Sequence, residues 1–306
     1  MAQTLIATAT DAPRTRVRRR WQPAAYLYVA PSVLVLAAFI VVPLLQTFQY
    51  SFYDWNGIGA STWAGLKNYA AVFTDVQLRD SFLHVSVLLL FYAALPVILG
   101  LGLTIVLSHA NRLRGMGFFR TVLFLPQVIA SVVVGTIWVS IYAPHGLLNQ
   151  VLGAIGLGEL TRAWLGDYTF ALIAIGFIGT WVNTGLCLVL FLGGVQNIEP
   201  AVFEAARIDG AGPLREFFGV TLPALRGQLA IALTLTVTAT LKSFDIVYIT
   251  TQGGPGTSTT VPAFEAFNRA FNTGQVGSAA AVAIALTVLI MVISWLITRL
   301  QPKENA

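Results

Sequence analysis

The chain has 306 residues, of which 56% are hydrophobic and only 10% charged, against roughly 25% charged in an ordinary soluble domain. Eighteen Lys+Arg against thirteen Asp+Glu leave a formal charge of +5, and the mean hydropathy is +0.75. This composition cannot supply a polar shell for a water-soluble globule, it is far too apolar for a disordered chain, and the single Cys187 excludes an internal disulfide framework. The sequence is that of an integral membrane protein.

The tail 1–23 contains Arg14, Arg16, Arg18, Arg19 and Arg20. It reads as a basic cytoplasmic tail that meets anionic lipid headgroups, with no role in binding nucleic acid. Six stretches follow, at about 24–48, 82–108, 120–141, 169–193, 228–251 and 276–298. Each supplies the ~20 apolar residues that a helix needs to cross the hydrocarbon core. They are too long, and too little alternating, for barrel strands. The expected fold is therefore an all-α membrane protein of six transmembrane helices, with its membrane domain over 24–299 and a short cytoplasmic tail at 300–306. The first stretch is much longer than the ~7–15-residue apolar core of a signal peptide, so a retained anchor is expected. Thirteen Lys+Arg fall on the side that holds both termini and four on the other, which places both termini in the cytoplasm.

Pro96 and Pro126 are expected to kink the second and third spans. In the fifth, Lys242 and Asp245 are the charged residues well inside a span. On a continuous helix Thr234, Thr238, Lys242 and Asp245 fall within about 80° of one another, and the i,i+3 spacing allows Lys242 and Asp245 to pair. The stripe serves either to line a solute cavity or to glue helices together through an ion pair and Thr contacts. Both readings are open, and Asn183, Thr184 and Tyr248 are further candidates for the same cavity. No phosphate-binding GxxxxGK[ST] loop occurs. His84, His109 and His145 lack metal-ligand spacing, and Cys187 has no nearby His. No catalytic residue, metal site or cofactor is expected in this chain.

The loop 194–227 between the fourth and fifth spans is patterned. Pro200 suits the first turn of a helix and Gly210 its left-handed end, with AVFEAARID between them. Pro213 then opens LREFFGVTLPAL. Two short helices joined at Gly210 make a rigid elbow with more apolar surface than a solvated loop needs, either folded back or offered to a partner.

Glu204-Ala205-Ala206, Asp209-Gly210-Ala211, Phe217 and Leu222-Pro223 resemble the EAA loop of ABC-transporter permeases, although Arg226 stands where that family often has a proline. WAGLKNYAAVFTD, RTVLFLPQVIASVVVGTIW, HGLLNQVLGAIGL with WLGD, and FDIVYITTQGGPGTSTT extend the likeness along nearly the whole chain. The chain thus resembles the carbohydrate-uptake, maltose-permease-type branch of that family. The resemblance implies a subunit of the bacterial cytoplasmic membrane that moves a sugar or related polyol by alternating access. It implies a second, homologous permease, an ATPase dimer coupled through the nine loop residues just named, and an extracytoplasmic solute-binding protein. ATP and Mg then belong to the ATPase, and this chain is no enzyme. A permease for another solute and an ion-coupled secondary transporter using Lys242 and Asp245 are the alternatives, and the second leaves the elbow unexplained.

Overall fold

Backbone groups that no water can reach must be satisfied within the chain, so apolar runs of this length become helices. The computed structural model describes residues 23–109 and 116–299. The basic tail before residue 23, Arg112, Arg114 and the tail 300–306 lie outside the described residues. Among the described residues, five helices are long and apolar enough to cross a membrane: Leu27–Tyr50, Val76–Leu107, Ser131–Ala154, Ala171–Val195 and Val276–Arg299. The pair Pro213–Ala224 and Arg226–Leu241, bent by 71°, makes up to six.

The chain divides into two units, Met1–Gln46 and Thr47–Ala306. In the first, helix Pro23–Leu36 runs through a π turn, Ala37–Val41, into the start of helix Val42–Tyr50, whose residues from Thr47 on belong to the second unit. The second unit holds a hairpin in which Tyr53 pairs with Trp63 and Asp54 with Thr62. The buried Asn68 amide donates to the Ser51 and Tyr53 carbonyls, fixing the hairpin on helix Lys67–Thr74.

Prolines account for much of the irregularity. A proline lacks the N–H owed to the carbonyl four residues earlier and its ring crowds that carbonyl. Three π turns, Ala37–Val41, Leu90–Ala94 and Phe217–Thr221, lie immediately ahead of Pro43, Pro96 and Pro223. The second has a consequence for packing. The Tyr92 carbonyl, with no partner at Pro96, accepts the Asn183 amide at 3.1 Å, and the Phe91 carbonyl accepts the Thr180 hydroxyl at 2.6 Å. Where the sequence predicts a kink, the structure has a π turn inside one continuous helix Val76–Leu107, and that turn is a hydrogen-bonded joint between the second and fourth spans.

Helix Ala171–Val195 is the central element, with fifteen of its 25 residues buried. Its Cys187 and Phe191 pack with Val97, Leu225 and Ala232, while Ile175 and Leu172 pack with Val85, Leu88 and Leu286.

Two expected spans are not continuous. The third is built from Met116–Val128 and Ser131–Tyr142, parted at Ile129 and Ala130. Ala130 is extended, at φ −59° and ψ 137°. Here Pro126 precedes a full break instead of a kink. The fifth is built from Arg226–Leu241 and Asp245–Thr250, parted at Lys242–Phe244. Irregular backbone at such depth survives only where it is buried in protein or lines a cavity.

Candidate functional site

The two breaks meet. Gln127, Ile129 and Ser131 from one, and Lys242, Ser243, Phe244 and Asp245 from the other, line a cavity of about 220 Å³. Tyr92 and the stretch Ile178–Asn183 of the central helix close its wall. Tyr92 Oη, Gln127 Oε1 and Ser243 Oγ are all buried with no hydrogen-bond partner. A buried polar group left alone costs about 1–3 kcal/mol, so each of these three atoms calls for a partner, whether water or solute. The helices that begin at the breaks, Ser131–Tyr142 and Asp245–Thr250, have no side-chain cap either.

The expected stripe on the fifth span does not form, because the break interrupts its helix. Lys242 caps the C-terminal end of Arg226–Leu241, and Asp245 opens Asp245–Thr250. Each charge sits at the helix end whose dipole favours it. Neither takes part in the ion pairs among the described residues; both are exposed to the cavity. Of the other expected residues, Asn183 is on the wall, its amide on the Tyr92 carbonyl. Thr184 and Thr234 donate to the carbonyls of Thr180 and Ala230 in their own helices. Those two and Thr238 stand off the wall. Tyr248 lines a second cavity, further along the fifth span. Tyr92, Gln127, Ser243 and Phe244 are site residues that the sequence reading did not single out. A polar atom in an apolar run was the available signal for the first three.

At the other end of the fifth span stands the elbow. Helix Pro200–Ile208 ends at Gly210, φ +78°, with the Gly210 N–H on the Arg207 carbonyl and the Ala211 N–H on the Ala206 carbonyl. This two-bond closure needs a left-handed residue. Helix Pro213–Glu216 then leads through the π turn to Leu222–Ala224 and the 71° bend. Arg207 clamps the two arms with a two-point hydrogen bond to the buried Glu216 carboxylate, at 2.9 and 3.3 Å. That bond and the Glu216 charge push the Arg207 guanidinium above its ordinary pKa.

Of the expected coupling residues, Glu204, Ala205, Asp209 and Gly210 are exposed, and Ala206, Ala211, Leu222 and Pro223 are half-buried. Phe217 is buried, so it packs inside the elbow and presents no surface to a partner. Ile208, Leu214 and Phe218, which the motif does not contain, are 86%, 67% and 62% exposed.

Comparison with known proteins places this architecture. The chain is 34% identical over 271 residues to the probable ABC transporter permease protein YurN of Bacillus subtilis, covering 88% of this chain and 92% of that protein. It is 33% identical over 287 residues to the trehalose/maltose transport system permease protein MalF of Thermococcus litoralis, covering 90% and 93%. Among solved structures, a bacterial ABC transporter involved in the import of alginate superposes with a TM-score of 0.76 at 21% identity, covering 92% of this chain and 96% of that one. Residues 4–305 match the family model for the binding-protein-dependent transport system inner membrane component. The chain belongs to that family, as the inner-membrane permease component of a binding-protein-dependent transport system.

Proposed function

We propose that this chain moves a sugar or related polyol through the cavity at the paired helix breaks, by alternating access, with ATP hydrolysed in a separate ATPase dimer that grips the elbow. A single observation carries the reading: one segment, from Pro200 to Asp245, presents exposed Ile208, Leu214 and Phe218 on a clamped helix pair at one end. At its other end it lines a cavity whose buried polar atoms have no partner. A push on the elbow is thereby a push on the cavity. The carbohydrate assignment is supported by the unsatisfied hydroxyl and amide groups, and by relatives whose names include trehalose/maltose, multiple sugars and diacetylchitobiose.

On this reading both termini and the elbow face the cytoplasm, Glu204, Ala205, Asp209 and Gly210 meet the ATPase, and Phe217, Leu222 and Pro223 hold the elbow's shape. Gln127, Asn183, Lys242, Ser243 and Asp245 face the solute. The cavity is below the roughly 300–1,000 Å³ of small-molecule sites, so a second, homologous permease supplies the rest of the pathway. An extracytoplasmic solute-binding protein delivers the solute, and this chain does no ATP chemistry.

The test is affinity purification of the tagged chain, followed by proteoliposome uptake of radiolabelled maltose, trehalose, sucrose and glycerol. An ATPase and a second permease are expected to copurify, and uptake is expected to require ATP and the receptor. An Ile208→Asp, Phe218→Asp variant should keep the permease and lose the ATPase. Uptake that persists without ATP and collapses with the ion gradient would overturn the proposal.

A further inference from the structure

Beyond the central cavity, a second one of about 420 Å³ opens where the fifth span ends, at the end of that span opposite the elbow. It lies within the roughly 300–1,000 Å³ of small-molecule sites, and its chemistry is unlike that of its neighbour. No charged side chain lines it. Its walls combine the rings of Tyr248, Phe264 and Phe267 with the carboxamides of Gln252, Asn268 and Asn272. A carboxamide offers a donor and an acceptor together, which suits adjacent hydroxyls. A ring face suits the C–H face of a pyranose. An ion or an acidic solute would find no counter-charge here.

Two further features bear on what the cavity can hold. Gln252 is the one non-glycine residue with positive φ among the described residues, at +50°. Its N–H is held on the Val247 carbonyl at 2.8 Å and its side chain is exposed. Gln252 and Gly253, both at positive φ, are the central pair of a turn closed by the Gly254 N–H on the Thr251 carbonyl at 2.9 Å, and that turn sets Gln252 at the cavity wall. The second feature is continuity. Phe244 lines the central cavity and stacks on Tyr248 with centroids 5.1 Å apart; Tyr248 meets Phe267 at 5.5 Å. One aromatic column therefore runs from one cavity to the other.

We infer that this outer cavity is a second carbohydrate subsite, a way station that holds an uncharged sugar ring against Tyr248 and Phe267 before it passes Phe244 into the central cavity. The inference rests on the sugar reading above and adds a site to it.

Saturation-transfer NMR on the assembled transporter in nanodiscs, without the receptor, tests it with maltose, trehalose and sucrose as probes. Ala239→Phe fills the central cavity, whose wall Ala239 lines, and leaves the outer one open. The Ala239→Phe complex should still bind a sugar saturably. Adding Tyr248→Leu or Gln252→Asn should weaken that binding about tenfold or more. Asparagine tolerates the left-handed backbone, so Gln252→Asn isolates the loss of reach, and elution with the ATPase attached checks folding.

Sugar binding abolished by Ala239→Phe alone and untouched by the outer variants in the otherwise native complex would overturn the inference and leave the carbohydrate permease standing. Outer variants that weaken receptor docking but not sugar binding would overturn it too, making the recess a protein contact. A native complex that neither binds nor imports any of the sugars would remove the carbohydrate reading and this inference together.

Discussion

Arg207 and Glu216 set the angle between the arms of the elbow, and neither belongs to the loop motif that identifies it. The Glu216 side chain is only 6% exposed while that of Arg207 is 58% exposed, so the carboxylate is the member held in place and the guanidinium reaches to it. Removing the exposed guanidinium frees the angle of the elbow while the buried arm keeps its packing, so Arg207 variants should act on coupling before they act on folding. Arg207→Ala is expected to lower solute-stimulated ATP hydrolysis several-fold in the reconstituted transporter, with the purified complex intact. The exchange Arg207→Glu with Glu216→Arg should recover part of it. Equal losses in the exchange and in both single variants would mean that the pair has no part in coupling.

At the scale of elements, the close approach of the third and fourth spans decides where the cavity lies. A methyl group on Gly185 would collide with the Leu123 carbonyl, whereas one on Gly102 meets nothing within 4 Å. Backbone contact of that kind drives helix association in lipid, where apolar burial alone supplies little. Gly185→Ala is therefore expected to cost about 1–3 kcal/mol through overpacking, read as a lower thermal midpoint of the complex in nanodiscs. Gly102→Ala, at an open helical position, should be neutral or slightly stabilising. Identical midpoints for the two variants would contradict the packing described here.

Across the whole molecule, a partly buried cluster ties the start of the second span to the segment before the sixth and to the sixth itself. Arg269 hydrogen-bonds to Glu265 at 2.8 Å, to Ser278 at 2.9 Å and to Asp75, while Gln77 donates to Glu265 at 3.0 Å. Asp75 also caps the helix Val76–Leu89 through the N–H groups of Gln77 and Leu78. Burial pushes the Asp75 carboxyl up, but its hydrogen bond and ion pair with Arg269, with those backbone donors, hold it below its ordinary value of 3.8. A carboxyl depressed on folding adds stability above its unfolded pKa and loses it as pH falls through the folded one. The thermal midpoint should thus fall as pH is lowered below about 3.8. Asp75→Asn should be less stable than the native chain at neutral pH and should lose part of that acid-dependent slope. Parallel curves for the two would show that Asp75 does not carry it.

Hydropathy, basic-residue bias and the elbow motif lie along the chain, so membrane insertion, the approximate spans and the family were legible without any fold. The positions of Pro200, Gly210 and Pro213 determined the elbow for the same reason: caps and turns depend on neighbouring residues. The cavity was not legible. Periodicity assumes a continuous helix, and on that assumption Thr234, Thr238, Lys242 and Asp245 share a face. Nothing local announces the break at Lys242–Phe244; it stands because the facing break at Ile129 and Ala130 and the wall from Ile178 to Asn183 border the same space. Tyr92 and Asn183 are 91 residues apart, and Arg207 and Glu216 meet only once the elbow has closed. Which polar groups are left without partners depends on where every other group has gone. That accounting belongs to the tertiary structure alone.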